Sequence, residues 1–149
     1  MTPPQTPPKS HALRLDDESA AANTPENQPL PHAVAKTPVE AKSPAEWAYQ
    51  RLILYIQNFE AQLDNEHEVA MGFTDSGAGV LRIEGMGYFD PDIVTFYGSD
   101  ADGSKTQLIQ HVSQLSVMLR AMPLAPKRKE PVRIGFRLAK DLEDENTAE

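Results

Sequence analysis

Few side chains here stand at spacings that chemistry uses. His67-Glu68 begins the pattern of a zinc-protease helix, but that site needs a second imidazole four residues on, and Met71 is there instead. The four histidines, His11, His32, His67 and His111, show no metal-ligand spacing. Asp100, Asp102 and Gly103 echo a calcium loop. The twelve-residue frame puts Gly98 at its first ligand position and Ile109 at its last, where a bidentate carboxylate belongs, so a hairpin loop is the better reading. Gly77, Gly79, Gly85 and Gly87 form no phosphate cradle, because none of them opens a helix after a strand in the required pattern. Lys127-Arg128-Lys129, with Arg133 and Arg137, is the one basic cluster; it reads as a solvated linker, with a weak nucleic-acid contact as the minor alternative. His111 lies among the uncharged polar residues Gln107, Gln110, Ser113 and Gln114. Its plain role is a helix cap or a bond to a strand end. In an enzyme it would be the best general base, with Tyr97, Asp100 and Asp102 as companions.

Asp75 carries the other chemical reading. Asp75-Ser76-Gly77-Ala78, after Gly72-Phe73-Thr74, resembles the D-[ST]-G-A loop of retropepsin-type aspartic proteases, in which two carboxylates share a proton to activate water. Ile134-Gly135-Phe136-Arg137-Leu138 resembles the late apolar-Gly turn of those enzymes. The rest of the chain departs from that pattern, since a capped helix precedes the loop and a further helix is expected between the two motifs. A Gly-rich turn accounts for the tetrapeptide.

The elements that must position these residues are legible from capping and periodicity. Ser43-Pro44-Ala45-Glu46 is a helix start, with Ser43 as cap, Pro44 at the first position and Glu46 completing a capping box. Ala48, Leu52, Tyr55, Ile56, Phe59 and Leu63 follow at helical spacing to about Asp64-Asn65, with Gln50, Arg51, Gln57, Asn58 and Glu60 marking the wet face. Trp47 is expected to seal the helix end against the sheet. His67–Phe73 alternates as a strand, Thr74–Gly79 turns, and Val80–Gly87 is a second strand whose Gly85 and Gly87 suggest a bulge. Asp90-Pro91-Asp92 turns again, Ile93–Gly98 is the clearest strand, and Asp102-Gly103 closes a hairpin loop. Lys105–Gln110 is either the return strand, followed by a helix from about Val112 to Ala121, or the first part of one long helix; the hairpin signal favours the strand. Val132–Leu138 alternates as a last strand, and Asp141–Glu149 reads as an acidic, frayed end.

Length and composition bound the rest. The 149 residues suffice for one domain, and 14 Lys+Arg against 22 Asp+Glu leave a net charge of -8, which disfavours nucleic acid and anionic membrane as partners. Without cysteine there is no thiol catalysis, disulfide or thiolate metal site. The first ten residues lack the apolar core of a secretory signal, and Leu52–Ile56 is far too short an apolar run to span a membrane. Met1–Lys42 holds eight of the thirteen prolines and no aromatic residue, so it reads as a disordered, extended tail, either a solubilising tether or a docking segment for a proline-binding groove.

S-P-A-E-W at Ser43–Trp47, G-V-L-R-I-E-G-M-G-Y-F at Gly79–Phe89, I-V-T-F-Y-G at Ile93–Gly98, L-I-Q-H-V-S-Q-L at Leu108–Leu115 and R-I-G-F at Arg133–Phe136 together resemble a small bacterial family of unknown function. The resemblance covers Ser43 to about Leu138. It implies a bacterial, cytoplasmic protein and transfers no activity or site residue.

The expectation is therefore an α+β domain over residues 43–138, a small antiparallel sheet of three to five strands against two helices. A disordered tail (1–42) and an acidic end (139–149) flank it. The function expected is a non-enzymatic interaction or regulatory module, with a protein partner or a second copy meeting an aromatic sheet face, around Tyr88, Phe89 and Tyr97, or an edge strand. A small hydrolase working through Asp75 or His111 is the alternative, and nucleic-acid binding through Lys127–Lys129 the third. No residue is assigned a catalytic, cofactor or metal role.

Overall fold

Ser43 starts the first long helix as its type predicts. Its Oγ accepts from the Glu46 N–H at 3.0 Å and donates to Asp90 Oδ1 at 2.5 Å, while the Ala45 N–H donates to the Pro91 carbonyl at 2.9 Å. The cap thus ties the helix to a turn of the sheet as well as satisfying its first N–H groups. The computed structural model describes residues 9–14, 24–38, 41–73, 79–125 and 128–147. Its helices are α1 (His32–Ala35), α2 (Pro44–Glu60) and α3 (Ile134–Thr147). Its strands are β1 (His67–Phe73), β2 (Val80–Phe89), β3 (Ile93–Ser99), β4 (Lys105–His111) and β5 (Val117–Pro123). Short 3-10 turns occupy Pro25–Asn27 and Val112–Gln114.

The five strands form one antiparallel sheet in the order β4-β3-β2-β1-β5. Its edges, β4 and β5, are joined by only the five residues Val112–Ser116. The register places His111 beside Ile93 and Phe89, at the end of β2, and Val117 beside Phe73, near the start of β2. In a flat sheet those two points would stand about 19 Å apart across the strands and about 30 Å apart along them. A link of this length reaches about 20 Å. The sheet must therefore coil until its two edges approach each other. A register shift between Ile83 and Gly85, at the bulge the glycines suggest, supplies a bend in β2.

The helix-facing side of the sheet carries the core. Val69, Met71, Phe73, Leu81, Ile83, Met86, Val94 and Phe96 are buried with Ala45, Ile53 and Ile56 of α2. Phe73 and Phe96 meet edge to face with ring centroids 4.9 Å apart, an arrangement the aromatic quadrupole favours. Gly98 lies where β3 crosses the bulge, and a Cβ there would overlap the Arg82 carbonyl.

Two elements differ from the sequence reading. The residues expected to form a helix from Val112 to Ala121 contain a 3-10 turn and then β5, while Lys105–His111 is the return strand. Leu115, Met118 and Leu119 fit a helical stripe, but Val117, Leu119 and Ala121 also alternate, and β1 offers an unpaired edge that takes seven residues in register. Val132–Leu138, read as a strand, instead opens into α3, whose Ile134, Leu138 and Leu142 are buried at a spacing of four. Its alternation over seven residues was too short to discriminate. The acidic end continues this helix through Thr147 rather than fraying at Asp141.

The polar face assigned to α2 is also largely covered. Gln50 and Glu60 are buried, and only Pro44 and Tyr55 of this helix are exposed. The described part of the proline-rich segment lies against it, with Ala33 and Val34 in the core cluster. Lys42 is buried too. Its Nζ donates to the Val34 carbonyl and to Gln50 Oε1, and sits 4.4 Å from the centre of the Trp47 ring. Burial lowers the Lys42 ammonium below its ordinary pKa, with Glu46 opposing. Trp47 packs against the core cluster and also faces Lys42 and the residue 28–30 segment.

Gly98→Ala is expected to destabilise the fold by about 2 kcal/mol or more, since the overlapping atom is backbone and cannot rotate away. Urea denaturation of the two proteins measures the difference. Equal midpoints would show that β3 shifts freely at the bulge.

Candidate functional site

Directly paired residues of an antiparallel sheet share a face. The register therefore sorts the strands into two sides. Met86, Phe96 and Leu108 form one row on the helix side; Gly87, Thr95 and Ile109 form the adjacent row on the convex side. Gly85, Tyr97 and Gln107 follow on one flank, and Phe89, Ile93 and His111 on the other. The convex side thus gathers Phe89, Ile93, Tyr97 and Ile109 into one patch. Three of them are strongly exposed, Phe89 at 76%, Ile109 at 61% and Tyr97 at 44%.

The glycines of β2 shape this patch. A Cβ at Gly85 would stand 3.7 Å from Tyr97 Cδ2, and one at Gly87 would stand 2.9 Å from Thr95 Oγ1 and 4.0 Å from Tyr97 Cε2. The Tyr97 ring therefore lies across two residues without side chains, and the surface is flat rather than knobbed. Phe89 and Tyr97 were part of the expected aromatic face. Tyr88 was as well, but it points to the other side, 5.1 Å from the Tyr49 ring. Ile109 was missed, because its helix-or-strand state was open in the sequence.

Charged groups frame the patch. Lys105 Nζ donates to Glu84 Oε2 at 2.8 Å and holds that carboxyl below its ordinary pKa. Glu68 is buried on the convex side of β1, bound by both its oxygens to Arg128 Nη1 and 3.6 Å from Arg82 Nη1. Arg82 Nη2 also donates to the Pro123 carbonyl at 2.7 Å. Arg128 therefore fastens the segment after β5 back onto β1. Arg133 donates to the carbonyls of His67 and Asp64 at 2.8 and 2.7 Å. Two members of the basic cluster are thus committed to internal bonds; Lys127 lies outside the described residues.

His111 ends the patch. Its Nδ1 is 2.8 Å from Ser113 Oγ and accepts the Ser113 N–H at 3.1 Å, and its Nε2 is 2.9 Å from Asp92 Oδ2. The Gln114 side chain accepts the His111 N–H at 2.9 Å, completing a capping box around the 3-10 turn. The expected companions Tyr97, Asp100 and Asp102 are not the groups that meet His111. Asp100 instead accepts the N–H groups of Asp102 and Ser104, which organises the hairpin loop. Asp75 and the rest of its D-S-G-A loop lie outside the described residues. Among the described residues, no three His, Asp or Glu side chains are grouped as a metal site.

A strongly perturbed group stands on the helical side. Glu60 Oε1 accepts the Gly135 N–H at 2.9 Å at the start of α3. Burial pushes its pKa up to about 7, against the opposing pull of the N–H groups of residues 134–136 and of Arg133. A Cβ at Gly135 would stand 2.7 Å from both Gln57 N and Glu60 Oε1, so the helices meet at a residue that must be small. Polar Glu60 gave no sign in the sequence that it would be buried.

The chain belongs to the family of unknown function DUF6173, whose model matches residues 38–137. No curated protein and no solved structure matches it.

Glu60 gives a signed pH dependence. The native state holds a proton that the unfolded chain releases above the ordinary value of 4.5. Its contribution is fully present below that pH and is lost as pH rises through about 7, a loss of up to about 3 kcal/mol. Glu60→Gln keeps the acceptor for Gly135 and is expected to flatten the melting-temperature profile over this window. An unchanged slope would place its origin elsewhere.

Proposed function

We propose that this chain is a non-enzymatic interaction module of the bacterial cytoplasm, and that the convex sheet face around Phe89, Tyr97 and Ile109 is where it meets a protein partner. One observation carries the reading: three strongly exposed apolar side chains share a contiguous, glycine-flattened patch, while the helical side of the same sheet is covered. Large apolar side chains clustered on a polar-rimmed surface mark protein contacts more often than chance exposure. The net charge of -8, and the internal bonds of Arg128 and Arg133, weigh against nucleic acid as that partner. Among the described residues no helix is long and apolar enough to cross a membrane.

A second reading rests on Ser113, His111 and Asp92, whose distances match a serine nucleophile, its base and an orienting carboxylate. The ring also accepts the Ser113 N–H, as a cap does, and the grooves along α2 contain none of these residues. A cap requires nothing more than this arrangement. A fluorophosphonate probe is expected to leave Ser113 unlabelled; labelling that His111→Ala abolishes would establish the hydrolase.

For the interaction module, the full chain is compared with Phe89→Ser/Ile109→Ser in affinity purification from its host. Both changes are on exposed side chains, so the melting temperature should hold within a few degrees. The wild type and Asp75→Asn are expected to retain the same stoichiometric partner, and the double variant to lose it about tenfold or more. Equal retention by the double variant would move the contact off this face.

A further inference from the structure

β4 is an edge strand, and the bonds at its two ends set which of its backbone groups are free. The Val112 N–H donates to the Asp92 carbonyl at 2.8 Å and the Asp100 N–H to the Ser104 carbonyl at 3.1 Å, just beyond either end of the β3–β4 pairing. Hydrogen-bonded positions alternate along an antiparallel pair. Thr106, Leu108 and Gln110 therefore turn their backbone groups to β3, while Lys105, Gln107 and Ile109 turn theirs outward. Among the described residues no strand pairs with that outward side. β5 does not cover it, because β4 and β5 run the same way and the link joins the end of one to the start of the other, so coiling brings them end to end.

Proteins commonly blunt an edge strand with a proline, a bulge or a charge within it. β5 carries Arg120 in its middle and Pro123 at its end. β4 has neither device. Its seven residues pair without a register shift, and its one Lys stands at the first position.

This edge is complementary to itself. A second β4, antiparallel about a two-fold axis at Leu108, places Leu108 against its own copy on the helix side and Gln107 against Ile109 on the convex side. Lys105 falls beside His111 and the Asp92 carboxylate bound to it, an attraction repeated at both ends. The two Lys105 groups stay about 20 Å apart along the strands. Thr106 faces Gln110, which is 8% exposed and whose Oε1 has no hydrogen-bond partner among the described residues. The Thr106 hydroxyl, which donates to the Ser104 carbonyl at 3.1 Å in the single chain, is the donor this register brings to it.

We propose that the free edge of β4 is a homodimer interface, at which a second copy of this chain adds its own β4 and extends the sheet across a two-fold axis. The pairing does not depend on the convex-face reading: two chains can join edges whether or not Phe89 and Tyr97 meet another protein.

Sedimentation of the full chain tests the pairing. The wild type is expected to be a dimer at about 100 μM and to dissociate on dilution. Gln107→Pro removes an outward N–H that makes no bond within the chain, so the cooperative melt should persist while the dissociation constant rises at least about tenfold. Gln107→Thr keeps that N–H and should remain dimeric. The chain has no cysteine, so single cysteines report the register. Leu108→Cys should cross-link under mild oxidation, since facing residues in such a pair stand within disulfide reach, and Lys105→Cys should not. A wild type that stays monomeric would overturn the proposal and leave the edge to a strand from another protein. A dimer that Gln107→Pro leaves intact, or cross-linking of Lys105→Cys but not of Leu108→Cys, would overturn it too and place the contact elsewhere.

Discussion

A five-residue connection governs this fold. Val112–Ser116 joins the two edge strands of the sheet, whose nearest ends a flat sheet would place well beyond its reach. Coiling is the solution, and it has consequences at each level. It needs the bend at the β2 bulge, and it needs Gly98, where the bent strand comes too close to β3 for a side chain. It also creates a concave side that a single long helix fills and a convex side that the helices cannot reach.

The position of α2 follows from that curvature. Ser43 and Ala45 fasten its start to the β2–β3 turn, and Glu60 fastens its end to the first turn of α3. Between these anchors the apolar stripe faces the sheet, while the remaining sides meet α3 and the proline-rich segment. A helix enclosed in this way buries polar groups, and each is answered differently. Gln50 accepts from Lys42, which in turn rests on the Trp47 ring. Glu60 accepts from Gly135, with its proton affinity raised by burial.

The two sides of the domain differ in kind. The convex patch is a rigid surface: strand register sets its side chains, and the glycines of β2 keep it flat. The α2–α3 groove is covered by the segment that carries α1, whose Val34 is buried in the core. A flat rigid surface suits a folded partner.

The sequence by itself determined the elements whose signals are local. The Ser43 cap, the Ile93–Ser99 strand, the Asp102-Gly103 hairpin loop and the β2 bulge all depend on residues a few positions apart, and all stand as expected. So did membership of a family without assigned activity. Tertiary structure decided the rest. Val117–Pro123 satisfies both helical and strand periodicity, and only the free edge of β1 made it a strand. Val132–Leu138 alternates for seven residues, yet packing on α2 made Ile134–Leu138 part of a helix. Lys42, Gln50 and Glu60 are polar residues, and their burial exists only because distant segments close over α2. Asp92 and His111, nineteen residues apart, meet because the β3–β4 register places His111 beside Ile93. Local patterns record what the backbone prefers within a few residues. Pairing partners and covering layers come from distant parts of the chain, so they enter only when it folds.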